Sequence, residues 1–205
     1  MAIEVILFDA DGVIQHATQD WCKAFARTIP FEHGVLAQKF TADIFAAETT
    51  HLSRVEGFDQ ALDDVLKRWH LVEFKSFVIE IMLSIQPYDE VMDVVKTIRR
   101  TGIRCFVASN QQTHRAHYMS TRFKYAEKFD GEIYSCNLGA AKPSRVFFKR
   151  ALETAGAIVG STLFIDDRAE NIEGAVQVGL HAILYDGRSG ISCLKSKLCD
   201  FGIEI

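Results

Sequence analysis

The stretch VILFDADGVI, residues 5–14, ends an apolar run in two aspartates one residue apart, followed by glycine. A turn needs at most one aspartate, to hydrogen-bond its own backbone. Two so close repel each other, and they invite either a cation or a division of labour between an ionised carboxylate and a protonated one. The run before them is too continuous for a half-exposed strand, so it reads as a parallel strand buried on both faces. Four later runs read the same way: IRCFVA (103–108), EIYSC (132–136), TLFI (162–165) and HAILY (181–185). Helical patterns separate the later runs. PYDEVMDVVKTIRRTG opens at Pro87 and closes at Gly102, the expected polarity of start and stop signals. PSRVFFKRALETAG offers Ser144 as N-cap, apolar positions at Val146, Phe147, Ala151 and Leu152, and then Gly156. AENIEGAVQVGL comes after the fourth run and ends at Gly179. Repeated β-α-β of this kind predicts an α/β fold, a doubly wound parallel five-stranded sheet with right-handed crossovers.

Between the first strand and Pro87 the sequence shows no strand signal. Helices are expected around DWCKAFARTI, GVLAQKFTADIFAAET, FDQALDDVLKRW and EFKSFVIEIMLSI; in the third, Ala61, Leu62, Val65, Leu66 and Trp69 share one face. At 205 residues, one core domain (1–14 and 86–205) with a helical cap (15–85) fits better than two domains. A cap inserted there overhangs the carboxyl ends of the strands, where open α/β sheets bind ligands. The net charge of −4 and the isolated basic pairs Arg99-Arg100 and Lys149-Arg150 argue against a nucleic-acid partner. The start MAIEVILFD lacks the features of a signal peptide, and no run is long enough to span a bilayer, so no membrane role is expected. Five cysteines without a CxxC pair or zinc spacing point to reduced thiols in the cytoplasm.

Chemistry can gather at four strand ends: Asp9 and Asp11 after the first, Ser109-Asn110 after the second, Lys142-Pro143 beyond the third, and Asp166-Asp167 after the fourth with Asn171 one turn on. Taken singly, each has an ordinary reading as a loop, a cap or a charge compensating a helix dipole. An EF-hand is excluded, because its sixth and twelfth positions hold Ile14 and Asp20 rather than Gly and Glu. Together, and in this order, the four signals reinforce one another.

In FDADGVI, FVASN, AKPSRVFF and FIDDRAEN the chain resembles the haloacid dehalogenase-like hydrolase superfamily over essentially its whole length. The run FIDDRAENIEGAVQVGLHAILYDG is similar to the subgroup with a helical cap after the first motif. That subgroup holds sugar phosphatases, phosphomutases, the phosphatase domain of epoxide hydrolases and the true dehalogenases. The resemblance implies a Rossmann-like core of strand order 5-4-1-2-3 and a phosphatase acting on a small phosphorylated metabolite. It implies Asp9 as nucleophile and Asp11 as acid and base, with Ser109, Asn110 and Lys142 on the phosphate. Mg²⁺ would be held by Asp9, the backbone carbonyl of Asp11, and Asp167. Either Asp166 or Asp167 can take the metal; the spacing from Asp167 to Asn171 matches the family's, which leaves Asp166 and Asn171 behind the ligands.

Candidates to touch the leaving group are Gln15, His16 and Trp21, or His51 and Arg54. Their alternative reading is surface or cap core. His114 and His117, three apart with no third ligand, read as helix-surface residues, and Arg145 and Arg168 as helix-start charges. Three rival functions remain. Dehalogenation is disfavoured because family dehalogenases lack the second aspartate. A phosphomutase needs protective cap residues that are not identifiable, and a non-catalytic binding or regulatory protein fits the motif set poorly.

Overall fold

Strand β1 (Val5–Phe8) exposes nothing, and its alternate side chains enter two different cores. Ile6 and Phe8 join one hydrophobic cluster, Val5 and Leu7 another, on the opposite face of the sheet. That two-sided burial is the physical reason for the unbroken apolar run. The computed structural model describes residues 2–31 and 33–205. After β1 the chain forms β2 (Gln15–Ala17), then α1 (Trp21–Thr28), α2 (Gly34–His51), α3 (Phe58–Arg68) and α4 (Lys75–Met82), and returns through β3 (Ile85–Pro87). The remainder runs α5 (Asp89–Arg100), β4 (Arg104–Ser109), α6 (Thr113–Arg122), α7 (Tyr125–Lys128), β5 (Gly131–Tyr134), α8 (Ser135–Leu138), α9 (Arg145–Ala155), β6 (Thr162–Asp166), α10 (Ala169–Gln177), β7 (His181–Leu184) and α11 (Ile191–Cys199).

The sheet order is β5-β4-β1-β6-β7, all pairs parallel. Counting only these five strands, this is the expected 5-4-1-2-3 read from its other edge. Phe8 sits opposite Val107 on one side and Ile165 on the other. This register lines up the carboxyl ends of β4, β1 and β6, and Asp9 N–H donates to the Ile165 carbonyl at 2.8 Å. Helix α5 buries Val91, Val94, Val95 and Ile98, one face at helical spacing, with Asp89 and Glu90 at its start and Arg99 and Arg100 at its end to suit the dipole.

The four helices expected between residues 15 and 85 are present. Their inward faces, including Phe25, Phe40, Ile44, Leu62, Leu66 and Val78, form a hydrophobic cluster of their own. Several expectations need correction. The helical segment is bracketed by β2 and β3, which pair antiparallel with Gln15 opposite Pro87. Pro87 therefore ends a strand, where its missing N–H costs little, and α5 starts at Asp89 behind Tyr88. EIYSC leaves the sheet at Tyr134, and Ser135 opens α8. Ser144 does cap α9, accepting from Val146 N–H, but Val146 lies outside the buried face at 47% exposure.

Candidate active site

The four acidic, hydroxyl and lysine positions converge at the carboxyl edge of β4, β1 and β6. Lys142 is at the centre, its side chain 1% exposed, with Nζ 2.7 Å from Asp9 Oδ1 and 2.6 Å from Asp166 Oδ2. Asp9 also accepts from Ala10 N–H at 2.7 Å. Burial pushes the Asp9 carboxyl up to about 7; Lys142 opposes this and the nearby Asp166 charge adds to it. Burial works to lower Lys142, but Asp9 and Asp166 hold its ammonium above the usual range.

Asp166 and Asp167 have different surroundings. Asp166 is fully buried and saturated with donors: Lys142 Nζ, Asn171 Nδ2 at 3.0 and 3.1 Å, and Arg168 N–H at 2.9 Å. Asp167 is half-buried, with no side-chain donor on its carboxylate among the described residues. Burial, then the Asp166 charge, raise its carboxyl. It lies against Gly12, where a Cβ would come within 2.2 Å of Asp167 Oδ2 and where φ is +86°. Only glycine allows both the turn and the approach.

Asp9, Asp166 and Asp167 offer oxygens within 4.8 Å of one another. With all three carboxylates ionised, one ammonium leaves two negative charges uncompensated. An all-oxygen set with that deficit suits a hard divalent cation such as Mg²⁺, and Asp167 is the carboxylate of the three without a side-chain donor among the described residues.

Ser109 is buried beside Asp9, its Oγ accepting from Gln111 Nε2 at 3.2 Å. The Asn110 side chain is committed to Lys142: its Nδ2 donates to the Lys142 carbonyl at 3.0 Å, and its Oδ1 accepts from Lys142 N–H at 2.8 Å. The side-chain amide thus braces the lysine loop.

Asp11 faces a cavity next to this cluster and is held by residues that sequence reasoning did not assign to it. Arg115 Nη2 meets both its oxygens, at 2.6 and 2.8 Å. Gln15 Nε2 and Gln111 Nε2 donate at 2.9 and 2.7 Å. Burial works to raise the Asp11 carboxyl, yet Arg115 and the two amides bring it below the usual range. Arg115 is itself buried, though α6 carries it beside Ala116 and Met119 on that helix's core face. A charged residue on an apolar stripe was the available signal. Gln15 was expected near the leaving group; it is instead fully buried, bonded to Asp11 and accepting from Tyr125 Oη at 3.0 Å.

Of the other candidates, Trp21 and Arg168 line the cavity, together with Thr41, Phe45, Glu48 and Thr49 from α2. His16 packs tilted against Tyr88, ring centroids 4.6 Å apart. His51 bonds the Ala47 carbonyl at 2.8 Å, and Arg54 is exposed; neither lines the cavity. His114 bonds Asp59 of α3 at 3.0 Å, joining α6 to the helical segment, while His117 is exposed. Arg145 reaches Gln177 at 3.4 Å.

A doubly wound parallel sheet whose central strand ends present this acidic cluster defines a Rossmann-like α/β protein with its site at the strand carboxyl ends. Within that class the chain belongs to the haloacid dehalogenase-like hydrolase family, whose model matches residues 3–179. It is 27% identical over 201 residues to Phosphatase MT3486 of Mycobacterium tuberculosis, covering 93% of this chain and 90% of that protein. A mutant HAD family enzyme of Bacteroides thetaiotaomicron, solved in complex with magnesium and inorganic phosphate, superposes with a TM-score of 0.79. It is 18% identical, and the match covers 94% of this chain and 99% of that one. L-2-haloacid dehalogenase of Xanthobacter autotrophicus gives a TM-score of 0.64 at 18% identity, over 97% of this chain and 83% of that one. At such identities the two structures share the fold.

Proposed function

We propose that the protein is a Mg²⁺-dependent phosphatase that hydrolyses a small phosphate monoester through an aspartyl-phosphate on Asp9. The observation that carries this reading is the charge deficit around Lys142: three clustered carboxylates and a single buried cation. When bound by Asp9, Asp167 and the Asp11 carbonyl, Mg²⁺ supplies the positive charge that lets an anionic nucleophile approach an anionic phosphate. An Asp9 oxygen attacks phosphorus as the bond to the leaving oxygen breaks, and Asp11 gives that oxygen its proton. Asp11 then takes a proton from water, which attacks phosphorus and releases Asp9. Lys142 fixes Asp9 and offsets phosphate charge, with Ser109 and the Asn110 backbone beside the phosphoryl oxygens. Arg115 favours ionised Asp11 in the free enzyme. A phosphate dianion brought beside it opposes Arg115 and favours the protonated acid.

In this reading, residues 15–85 form a cap that closes over the strand ends, with the β2–β3 pair as its base. Movement of such a cap admits substrate and then excludes bulk water. The separate hydrophobic cluster of α1–α4 supports treating it as a unit. All five cysteines are free thiols, which fits a cytoplasmic location. No described helix is long and apolar enough to cross a membrane.

Activity on a panel of phosphomonoesters vanishes with EDTA and returns with Mg²⁺. Asp167→Ala raises the Mg²⁺ needed for half-maximal activity by more than about tenfold, and Gly12→Ala acts in the same direction by displacing the Asp167 carboxylate. Asp166→Ala mainly lowers thermal stability, because it strips Lys142 of a partner. A greater rise in metal requirement for Asp166→Ala than for Asp167→Ala would reverse the ligand assignment. Metal-independent halide release from a 2-haloacid, without phosphatase activity, would overturn the function.

A further inference from the structure

An arginine on the core face of a helix, its side chain only 5% exposed, needs protein partners for its donors. Arg115 divides them among three parts of the chain. Its Nε donates to Gln111 Oε1 at 2.8 Å, Nη1 to the Met82 carbonyl, and Nη2 to both oxygens of Asp11. Met82 is the last residue of α4, where helix carbonyls lack partners within the helix. Gln111, fixed through its oxygen, turns its amide nitrogen to Asp11 at 2.7 Å and to Ser109 Oγ at 3.2 Å.

Asp11 is the contrasting case. Its side chain is 45% exposed where it lines the cavity, so packing does not fix its rotamer. Hydrogen bonds do, from Gln15 in β2, from Gln111 just after β4, and from Arg115 in α6. The chain enters the helical segment through β2 and leaves it through the end of α4 and β3. Both crossings are therefore tied to one carboxylate, the first through Gln15 and the second through the Met82 carbonyl and Arg115. A planar guanidinium presents its donors in fixed directions, so three anchors at once define where Asp11 lies. A lysine ammonium in that place could not span them.

We propose that Arg115 is a positioning residue for proton transfer, one that keeps the Asp11 carboxyl aimed at the leaving oxygen by bracing it against Gln111 and the end of α4. Resting on the phosphatase reading above, this adds to it a residue that touches neither phosphorus nor the leaving oxygen. A displacement of about 1 Å in a reacting group can cost about 10²-fold in rate. Because Arg115 acts through Asp11, its effect follows the demand for a proton. An ester whose leaving group departs as a stable anion makes little demand; an alkyl ester makes a full one.

The test compares kcat/KM, which covers the steps up to loss of the alcohol, for benzyl phosphate and 4-nitrophenyl phosphate with Mg²⁺. The two esters are close in size, but 4-nitrophenolate leaves without a proton and a benzyl alkoxide needs one. Asp11→Asn sets the reference by lowering the benzyl-to-nitrophenyl ratio. Arg115→Met should lower that ratio by about 10²-fold. Added to Asp11→Asn it should lower the ratio no further, because the group it acts through is already gone. Arg115→Lys keeps the buried charge and loses the fork; it should shift the ratio in the same direction, and it serves where Arg115→Met fails to fold. Equal losses on both esters for Arg115→Lys, or an Arg115→Met effect on the ratio that adds in full to that of Asp11→Asn, would make Arg115 a purely structural tie. Either result overturns the proposal and leaves the phosphatase standing. An unchanged ratio in Asp11→Asn removes the acid role of Asp11 and the proposal with it. Absence of wild-type turnover on every ester removes the phosphatase reading as well.

Discussion

Asp9→Asn abolishes turnover of every phosphomonoester, a loss on the order of 10⁴-fold or more in kcat, the scale at which essential catalytic groups act. An amide is a poor nucleophile toward phosphorus and a neutral metal ligand. The fold survives, because Asn keeps an oxygen for Ala10 N–H and Lys142 keeps its pairing with Asp166, while the charge lost is one that burial disfavours. The same burial sets the sign of the stability change. The Asp9 carboxyl is raised to about 7 from an ordinary value of 3.8, so the folded state holds its proton over a range where the unfolded state has released it. Stability of the metal-free wild type therefore falls as pH rises from about 4 to about 7. Metal-free Asp9→Asn should melt above wild type at pH 8, with the difference shrinking toward pH 4. Thermal melts in EDTA measure this; an Asp9→Asn protein that melts well below wild type at pH 8, or one that keeps a tenth of the activity, contradicts the assignment.

Lys142→Met produces the largest structural effect. It leaves Asp9 and Asp166 buried and facing each other without the ammonium that now lies 2.7 and 2.6 Å from them. Removing one partner of a buried ionic cluster costs about 3–5 kcal/mol. Adding Asp166→Asn should recover part of that stability while activity stays lost, since Asp9 still lacks its positioning cation. Denaturant titration of the two single variants and the double variant gives the coupling. Strict additivity would mean that Lys142 and Asp166 do not share their energy.

The strand ends were legible because an apolar run buried on both faces stands out, and the residues just after such a run sit at a strand end by construction. The helical segment was legible by periodicity, as Leu62, Val65 and Leu66 illustrate. The β2–β3 pair was not: three-residue strands carry no pattern, and Gln15 pairs with Pro87 across the whole helical segment. The surroundings of Asp11 were hidden for the same reason. Gln15 is close to Asp11 in sequence, but Gln111 and Arg115, neighbours of each other, lie far along the chain and reach Asp11 through packing alone. The distinct surroundings of Asp166 and Asp167 are also beyond a linear reading, because they depend on where Lys142 and Asn171 point.

The central claim is that Asp9 carries the phosphoryl group during turnover. Its most direct test is acid quenching of the wild-type enzyme during turnover of a reactive phosphoester with Mg²⁺, and then peptide mass spectrometry. One phosphoryl group should appear on the peptide containing Asp9, disappear with EDTA, and be absent from Asp9→Asn. Phosphoryl on any other residue, or turnover by Asp9→Asn at the wild-type rate, would contradict the mechanism.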